Sequence, residues 1–140
     1  MKYLLDTCVI SELTKKRPST HLVQWLKQQD EFSLYLSVIT IGELQKGIGK
    51  LPDSRKRRQL QEWVAQDLTR RFTGRILNID QEVAQKWGDL SASAEKTGRP
   101  VPVLDGLLVT TAQAHGLTFV TRNTTHVEVT GVPLLDPWKS

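Results

Sequence analysis

Lys2-Tyr3-Leu4-Leu5-Asp6 is an apolar run too short to form the core face of a helix, and a carboxylate closes it, as in a buried strand. Similar runs recur further along. Leu34 to Ile39, rich in Leu, Val and Ile, reads as a second strand, Arg75 to Ile79 as a third and Leu117 to Val120 as a fourth, with Leu134-Leu135 as a last edge strand before Pro137. Between them the apolar residues recur with helical spacing. Ser19 caps a helix carrying Leu22, Val23 and Leu26, and Thr40 caps one through Lys50 with Ile41, Leu44, Ile48 and Leu51 on its apolar face. Pro52 closes that helix, and Asp53 opens a longer one with Leu60, Trp63, Val64, Leu68 and Phe72. Asp80 caps a helix that buries Val83, Ala84, Trp87 and Leu90 and ends at Gly98. A stiff connector, Arg99-Pro100-Val101-Pro102, leads to an apolar helix from about Leu104 to His115, terminated by Gly116. Strands alternating with helices build βαβ units, so the expected class is α/β, with a mostly parallel sheet and helices on both faces.

The chain has 140 residues, 39% hydrophobic and 24% charged, which suits one domain spanning 1–140 that buries a core without disulfides. Its single cysteine, Cys8, has no internal partner, and no Cys/His set has zinc-ligand spacing. A reduced, cytoplasmic setting is therefore expected. Asp6 interrupts the first apolar run before a signal-peptide core can form, and no later run approaches the roughly 18 residues of a membrane span. A soluble protein follows, with no role at a membrane.

Net charge is +4 but unevenly placed. Residues 46–75 hold nine basic side chains (Lys46, Lys50, Arg55, Lys56, Arg57, Arg58, Arg70, Arg71, Arg75) against Asp53, Glu62 and Asp67, a local +6 that leaves the remainder at −2. Such a segment either attracts a polyanion or forms a solvated, salt-bridged helix face.

In open α/β sheets, ligands bind beyond the carboxyl ends of the strands. Asp6 follows the first strand, Glu43 lies in the first turn after the second, Asp105 in the first turn after the proline connector, and Thr121-Arg122-Asn123 follow the fourth strand. Four separated stretches thus deliver polar groups, three of them carboxylates, to one edge of the sheet. Each carboxylate also has a structural reading: Asp6 can begin a turn, Glu43 can complete a capping box with Thr40, and Asp105 can favour a helix N-terminus. Asp6 and Asp105 nonetheless sit among core-forming residues, and a buried carboxylate needs a partner, of which a hard cation is one.

Leu4-Leu5-Asp6-Thr7 with Ser11-Glu12, Val38-Ile39-Thr40-Ile41-Gly42-Glu43-Leu44, Pro102-Val103-Leu104-Asp105 followed by Ala112, and Thr121-Arg122-Asn123 resemble, in order and spacing, the four motifs of PIN-domain ribonucleases. They are most similar to the toxin half of VapBC-type toxin–antitoxin pairs, with Gly131-Val132 and Pro137-Trp138 resembling the ending of the FitB-like branch. The resemblance implies a Rossmann-like PIN fold and hydrolysis of RNA phosphodiesters with Mg²⁺ or Mn²⁺. It implies Asp6, Glu43 and Asp105 as catalytic and metal-site residues, with Thr7, Ser11, Thr40, Thr121 and Asn123 supporting them or orienting substrate. It implies, as partners, RNA, a small antitoxin and a second copy of the chain, with Arg55, Lys56, Arg57, Arg58 and Arg122 contacting RNA or antitoxin. Carboxylates without histidine among them suit Mg²⁺ or Mn²⁺ rather than zinc. Many relatives carry a further aspartate near the fourth motif, where this chain has Asn123, with His126 the next polar candidate. One-metal and two-metal sites both remain open, as does a PIN-like module that binds RNA or a partner without turnover. A phosphoacceptor domain fits worse, because Thr7-Cys8 follow Asp6 where a second carboxylate is needed. Cys8 with His21 or His115 as a nucleophile pair is set against simple core packing of the thiol. Ser93-Ala94-Glu95-Lys96 matches the Ser-x-x-Lys of penicillin-binding enzymes without its companion motifs.

Overall fold

A computed structural model describes residues 1–139. Five strands, β1 (Tyr3–Leu5), β2 (Leu34–Ser37), β3 (Ile76–Leu77), β4 (Thr118–Val120) and β5 (Leu134–Leu135), form one sheet in the order β3-β2-β1-β4-β5. Every pairing is parallel, with Tyr3 opposite both Leu34 and Thr118, Leu36 opposite Ile76 and Phe119 opposite Leu134. The first strand is thus the centre of the sheet, which puts Asp6 at the middle of its carboxyl edge.

Alternation along β1 sends Leu4 and Leu5 to opposite faces. Leu5 joins Val9, Ile10, Leu22, Leu36, Val64 and Phe72 in one core layer, while Leu4 joins Leu108, Val109, Ala112, Phe119 and Val127 in the other. The helices that supply these layers are α1 (Thr7–Leu13), α2 (Thr20–Gln28), α3 (Val38–Gly49), α4 (Arg55–Glu62), α5 (Thr69–Arg71), α6 (Gln81–Lys96), α7 (Val103–Ala114) and α8 (Thr124–Val127). Among the described residues, no helix is long and apolar enough to cross a membrane. The caps at Ser19 and Asp80 form as expected, each side chain accepting from the backbone three residues on, Leu22 N at 3.3 Å and Val83 N at 2.9 Å.

Three departures from the sequence reading bear on the site. First, α1 starts directly after Asp6, whose Oδ1 caps it by accepting from Thr7 N at 2.7 Å. Second, α3 is capped by Ser37, whose Oγ accepts from Ile39 N at 3.0 Å, and not by Thr40, which lies inside the helix and is buried. Glu43 therefore sits in the second turn and forms no capping box. Third, the helix after Pro52 is capped by Ser54, not Asp53, and widens into a π-helical stretch over Trp63–Leu68 between α4 and α5. That wider turn shifts the register so that Val64, Leu68 and Phe72 all reach the core.

The basic segment also divides. Arg75 is only 7% exposed. Its Nη1 donates to Glu31 O and Leu34 O and its Nη2 to Arg71 O, each at 2.6 Å. The guanidinium lies 4.9 Å from the Phe72 ring centre and 5.4 Å from that of Phe32. Arg71 pairs with Glu31 at 2.7 Å and Arg58 with Asp53 at 3.2 Å. Part of the local +6 is therefore structural, whereas Arg55 and Lys56 stay exposed on α4.

Helices α6 and α7 approach closely where the Trp87 indole meets Gly106. A Cβ at Gly106 would lie 3.0 Å from Trp87 Nε1, so only glycine lets the indole pack there without displacement. Gly106 directly follows Asp105, so this contact fixes the turn that carries the carboxylate.

Candidate active site

The site grows from the adjacency of β1 and β4. Asp6 N donates to Val120 O at 2.9 Å, which sets Asp6 and Thr121 side by side at the sheet edge. Thr121, fully buried, donates its hydroxyl to Asp6 Oδ2 at 2.7 Å and accepts from Asn123 N at 3.0 Å. The Cys8 thiol lies behind the same carboxylate, Sγ to Oδ2 at 3.5 Å. From the β2 side, Glu43 Oε1 accepts from the Thr7 hydroxyl at 2.6 Å, and Thr7 Oγ1 is 3.0 Å from Thr40 Oγ1. A hydroxyl has a single hydrogen, so its bond to the carboxylate orients Glu43 and leaves Thr40 to close the chain of oxygens. Asp105 enters from α7, with His126 Nδ1 4.0 Å from its Oδ2.

Electrostatics links the three carboxylates through Asp6. Burial pushes the Asp6 carboxyl above its ordinary value of 3.8, against the bonds from Thr121, Thr7 N and Cys8, and the charge of Glu43 adds to the rise. Burial also raises Asp105, followed by the charge of Asp6, while His126 opposes the rise. Burial, then the charge of Asp6, pushes the Cys8 thiol up to about 12. The thiol therefore stays protonated at neutral pH and packs as a weak donor, which removes it as a nucleophile.

The donor set is all oxygen, as a hard divalent cation requires, and a positive charge here would relieve the repulsion that Asp6 shares with both neighbours. Among the described residues, no three His, Cys, Asp or Glu side chains already close around a point as a metal cluster. By type, the oxygen donors of Asp6, Glu43 and Asp105 are those that Mg²⁺ or Mn²⁺ takes.

Because Asp6 and Asp105 are raised on folding, the folded chain keeps protons that the unfolded chain releases above about pH 3.8. In the metal-free protein their contribution to stability therefore falls as pH rises from that value through the folded-state values. Asp6→Asn removes this penalty at neutral pH, keeps the cap, since Asn serves as well as Asp, and lets the Thr121 hydroxyl reverse and accept. Its melting temperature in EDTA should exceed that of the wild type by a few degrees. A lower value would mean that Asp6 contributes through its hydrogen bonds alone.

Of the other expected site residues, Thr7, Thr40, Thr121 and the Asn123 backbone belong to one network with Asp6 and Glu43. Ser11 does not contact the carboxylates directly. It is exposed on α1 and lines, with Glu43, Gly47 and Lys56, a groove of about 240 Å³. That groove brings Lys56 to the Glu43 side of the site. Arg57 is half-buried and reaches Leu51 O at 3.4 Å, and Arg122, next to Thr121, stacks its guanidinium 5.6 Å from the Trp138 ring centre. Glu12 is engaged by Lys15 Nζ (2.9 Å) and Ser19 N (3.0 Å), tying α1 to α2.

A buried aspartate at the end of the central strand of a five-stranded parallel sheet, flanked by two more carboxylates and held by threonines, defines an α/β protein of the PIN class. The family model described as PIN domain matches residues 3–132, and the chain belongs to that family. Its relatives include the "VapC ribonuclease Y4jK" of Sinorhizobium fredii, 35% identical over 97% of both chains. The "Toxin FitB" of Neisseria gonorrhoeae is 36% identical over 96% of this chain and 97% of its own. The crystal structure of FitAcB from Neisseria gonorrhoeae superposes with a TM-score of 0.94 at 35% identity, covering 99% of each chain. Within the PIN proteins, then, this chain belongs with the VapC and FitB relatives.

Proposed function

We propose that the chain is a metal-dependent endoribonuclease and the toxin of a VapBC-like pair, hydrolysing RNA phosphodiesters at Asp6, Glu43 and Asp105. The observation that carries this reading is that Thr7 joins two of the carboxylates at one sheet edge, its backbone N–H bonded to Asp6 Oδ1 at 2.7 Å and its hydroxyl to Glu43 Oε1 at 2.6 Å, with Asp105 near enough to feel the charge of Asp6. Mg²⁺ or Mn²⁺ bound by these three would activate a water and neutralise charge on the phosphodiester. The chain's own contribution is orientation: Thr121 holds Asp6 Oδ2, Thr7 holds Glu43 Oε1, and the Gly106–Trp87 contact sets the turn that carries Asp105. Asn123 orients Thr121 through its backbone N–H, so the support it gives does not depend on an acidic side chain. Arg122, which lies over the Trp138 ring, would contact RNA phosphate in this reading.

A small antitoxin is the expected partner, in keeping with neighbours such as the DNA-bound VapBC of Salmonella typhimurium, 25% identical with a TM-score of 0.79. A homodimer belongs to the same reading. Val103 and Leu104, 58% and 42% exposed on the first turn of α7, offer apolar surface for it.

Purified protein incubated with structured RNA should cleave it in Mg²⁺ or Mn²⁺ and stop in EDTA. Cleavage that continues in EDTA would refute the metal mechanism. Binding of RNA with no cleavage in Mn²⁺ would instead favour a non-catalytic module. Arg55 and Lys56, exposed and in the latter case beside the Glu43 groove, are assigned to RNA phosphates. Replacing both with Gln should lower the log–log salt slope of RNA binding by about 0.7 unit per lost contact. An unchanged slope would assign those charges to other work.

A further inference from the structure

On the Asp105 side of the site lies a second hollow, of about 330 Å³, lined by Arg99, Pro100, Pro102, Thr125, His126 and Val129. It adjoins the carboxylates: His126 Nδ1 is 4.0 Å from Asp105 Oδ2, and Pro102 is the N-cap of the helix that carries Asp105. Building on the ribonuclease reading, we propose that this hollow is a base pocket, taking one unpaired nucleobase of the RNA next to the phosphate that is cut.

The walls decide for a base over a phosphate. Two prolines and Val129 present apolar surface without donors, and the charge of Arg99 is offset by Glu128, 3.0 Å from its Nη2. The volume sits at the small end of ligand pockets and suits one splayed-out base rather than a duplex. The His126 imidazole, 57% exposed, supplies an aromatic face, and single-stranded RNA is commonly gripped by stacking on such faces. Arg99 and Thr125 supply polar groups at the rim that can read a base edge. The groove with Lys56 lies on the Glu43 side and this pocket on the Asp105 side, so a strand crossing the carboxylates would have a basic contact on one side and a base contact on the other.

The test uses a short, labelled, single-stranded oligoribonucleotide bound in EDTA, with each base in turn replaced by an abasic site. For the wild type, one abasic position should weaken binding about tenfold, the size of one base–aromatic stack. His126→Ala should erase that dependence, and His126→Phe, which keeps a ring face without the imidazole, should restore it. Equal sensitivity of wild type and His126→Ala at every position would overturn the pocket, and Mn²⁺-dependent cleavage persisting in that case would leave the ribonuclease reading intact. Conversely, base-dependent binding that requires the ring, in a protein that cleaves nothing with Mn²⁺, would support the pocket and overturn the nuclease.

Discussion

Asp105→Asn should slow RNA cleavage by at least about a hundredfold while the protein folds normally. The magnitude is that of removing one preorganised group that stabilises charge in a transition state. Normal folding follows from the surroundings of Asp105. Among the described residues, His126 Nδ1 lies 4.0 Å from its Oδ2, too far for a hydrogen bond, and burial and the charge of Asp6 already disfavour its ionised form. An amide of the same shape thus leaves no bond unmade and removes a repulsion. Single-turnover cleavage in Mn²⁺ beside a thermal melt in EDTA measures both effects. A rate within about threefold of wild type would remove Asp105 from the site.

Arg75→Met should cost on the order of 3 kcal/mol of stability, the largest loss expected from any arginine here. The methionine fills much of the space between Phe32 and Phe72 but leaves the carbonyls of Glu31, Leu34 and Arg71 without their donor, and hydrogen bonds to charged groups contribute roughly 1.5–3 kcal/mol each before compensation by water. The melting temperature should drop by about 10 °C. Arg58→Gln, which breaks only an exposed pair with Asp53, should stay within about 1 kcal/mol of wild type. Equal effects from the two would mean that Arg75 is not the clasp between the Glu31 turn and β3.

The contrast between these arginines shows where reading the sequence stops. Arg75 and Arg58 look alike in a run of basic residues, and only the three carbonyls converging on Arg75 tell them apart. The strands and the caps at Ser19 and Asp80 were legible because apolar runs and capping side chains are local signals. Helix α1 was not, because Thr7-Cys8-Val9-Ile10 is short and β-branched, and burial of Val9 and Ile10 in the core stabilises it rather than propensity. Ser37 and Thr40 are both good caps three residues apart. The pairing of Ser37 with Leu77 places the strand end, and so favours the former.

At the site, the rule that ligands sit beyond strand ends is what proposes Asp6, Glu43 and Asp105 together. It could not supply the Thr7–Glu43 bond, which joins residues 36 apart in the chain. Nor could it place His126 beside Asp105, since a histidine near a turn has the same local signature whether it faces solvent alone or lines a pocket.

We propose that Asp6, Glu43 and Asp105 share a hard divalent cation, and counting bound Mn²⁺ by electron paramagnetic resonance checks this without any substrate. The wild type should bind Mn²⁺, with Asp6→Asn, Glu43→Gln and Asp105→Asn each weakening binding at least about tenfold, since even residues that only support a ligand typically change affinity by 10–100-fold. A variant that binds Mn²⁺ as tightly as the wild type would contradict the shared site at that residue, and undiminished binding by all three would contradict it altogether.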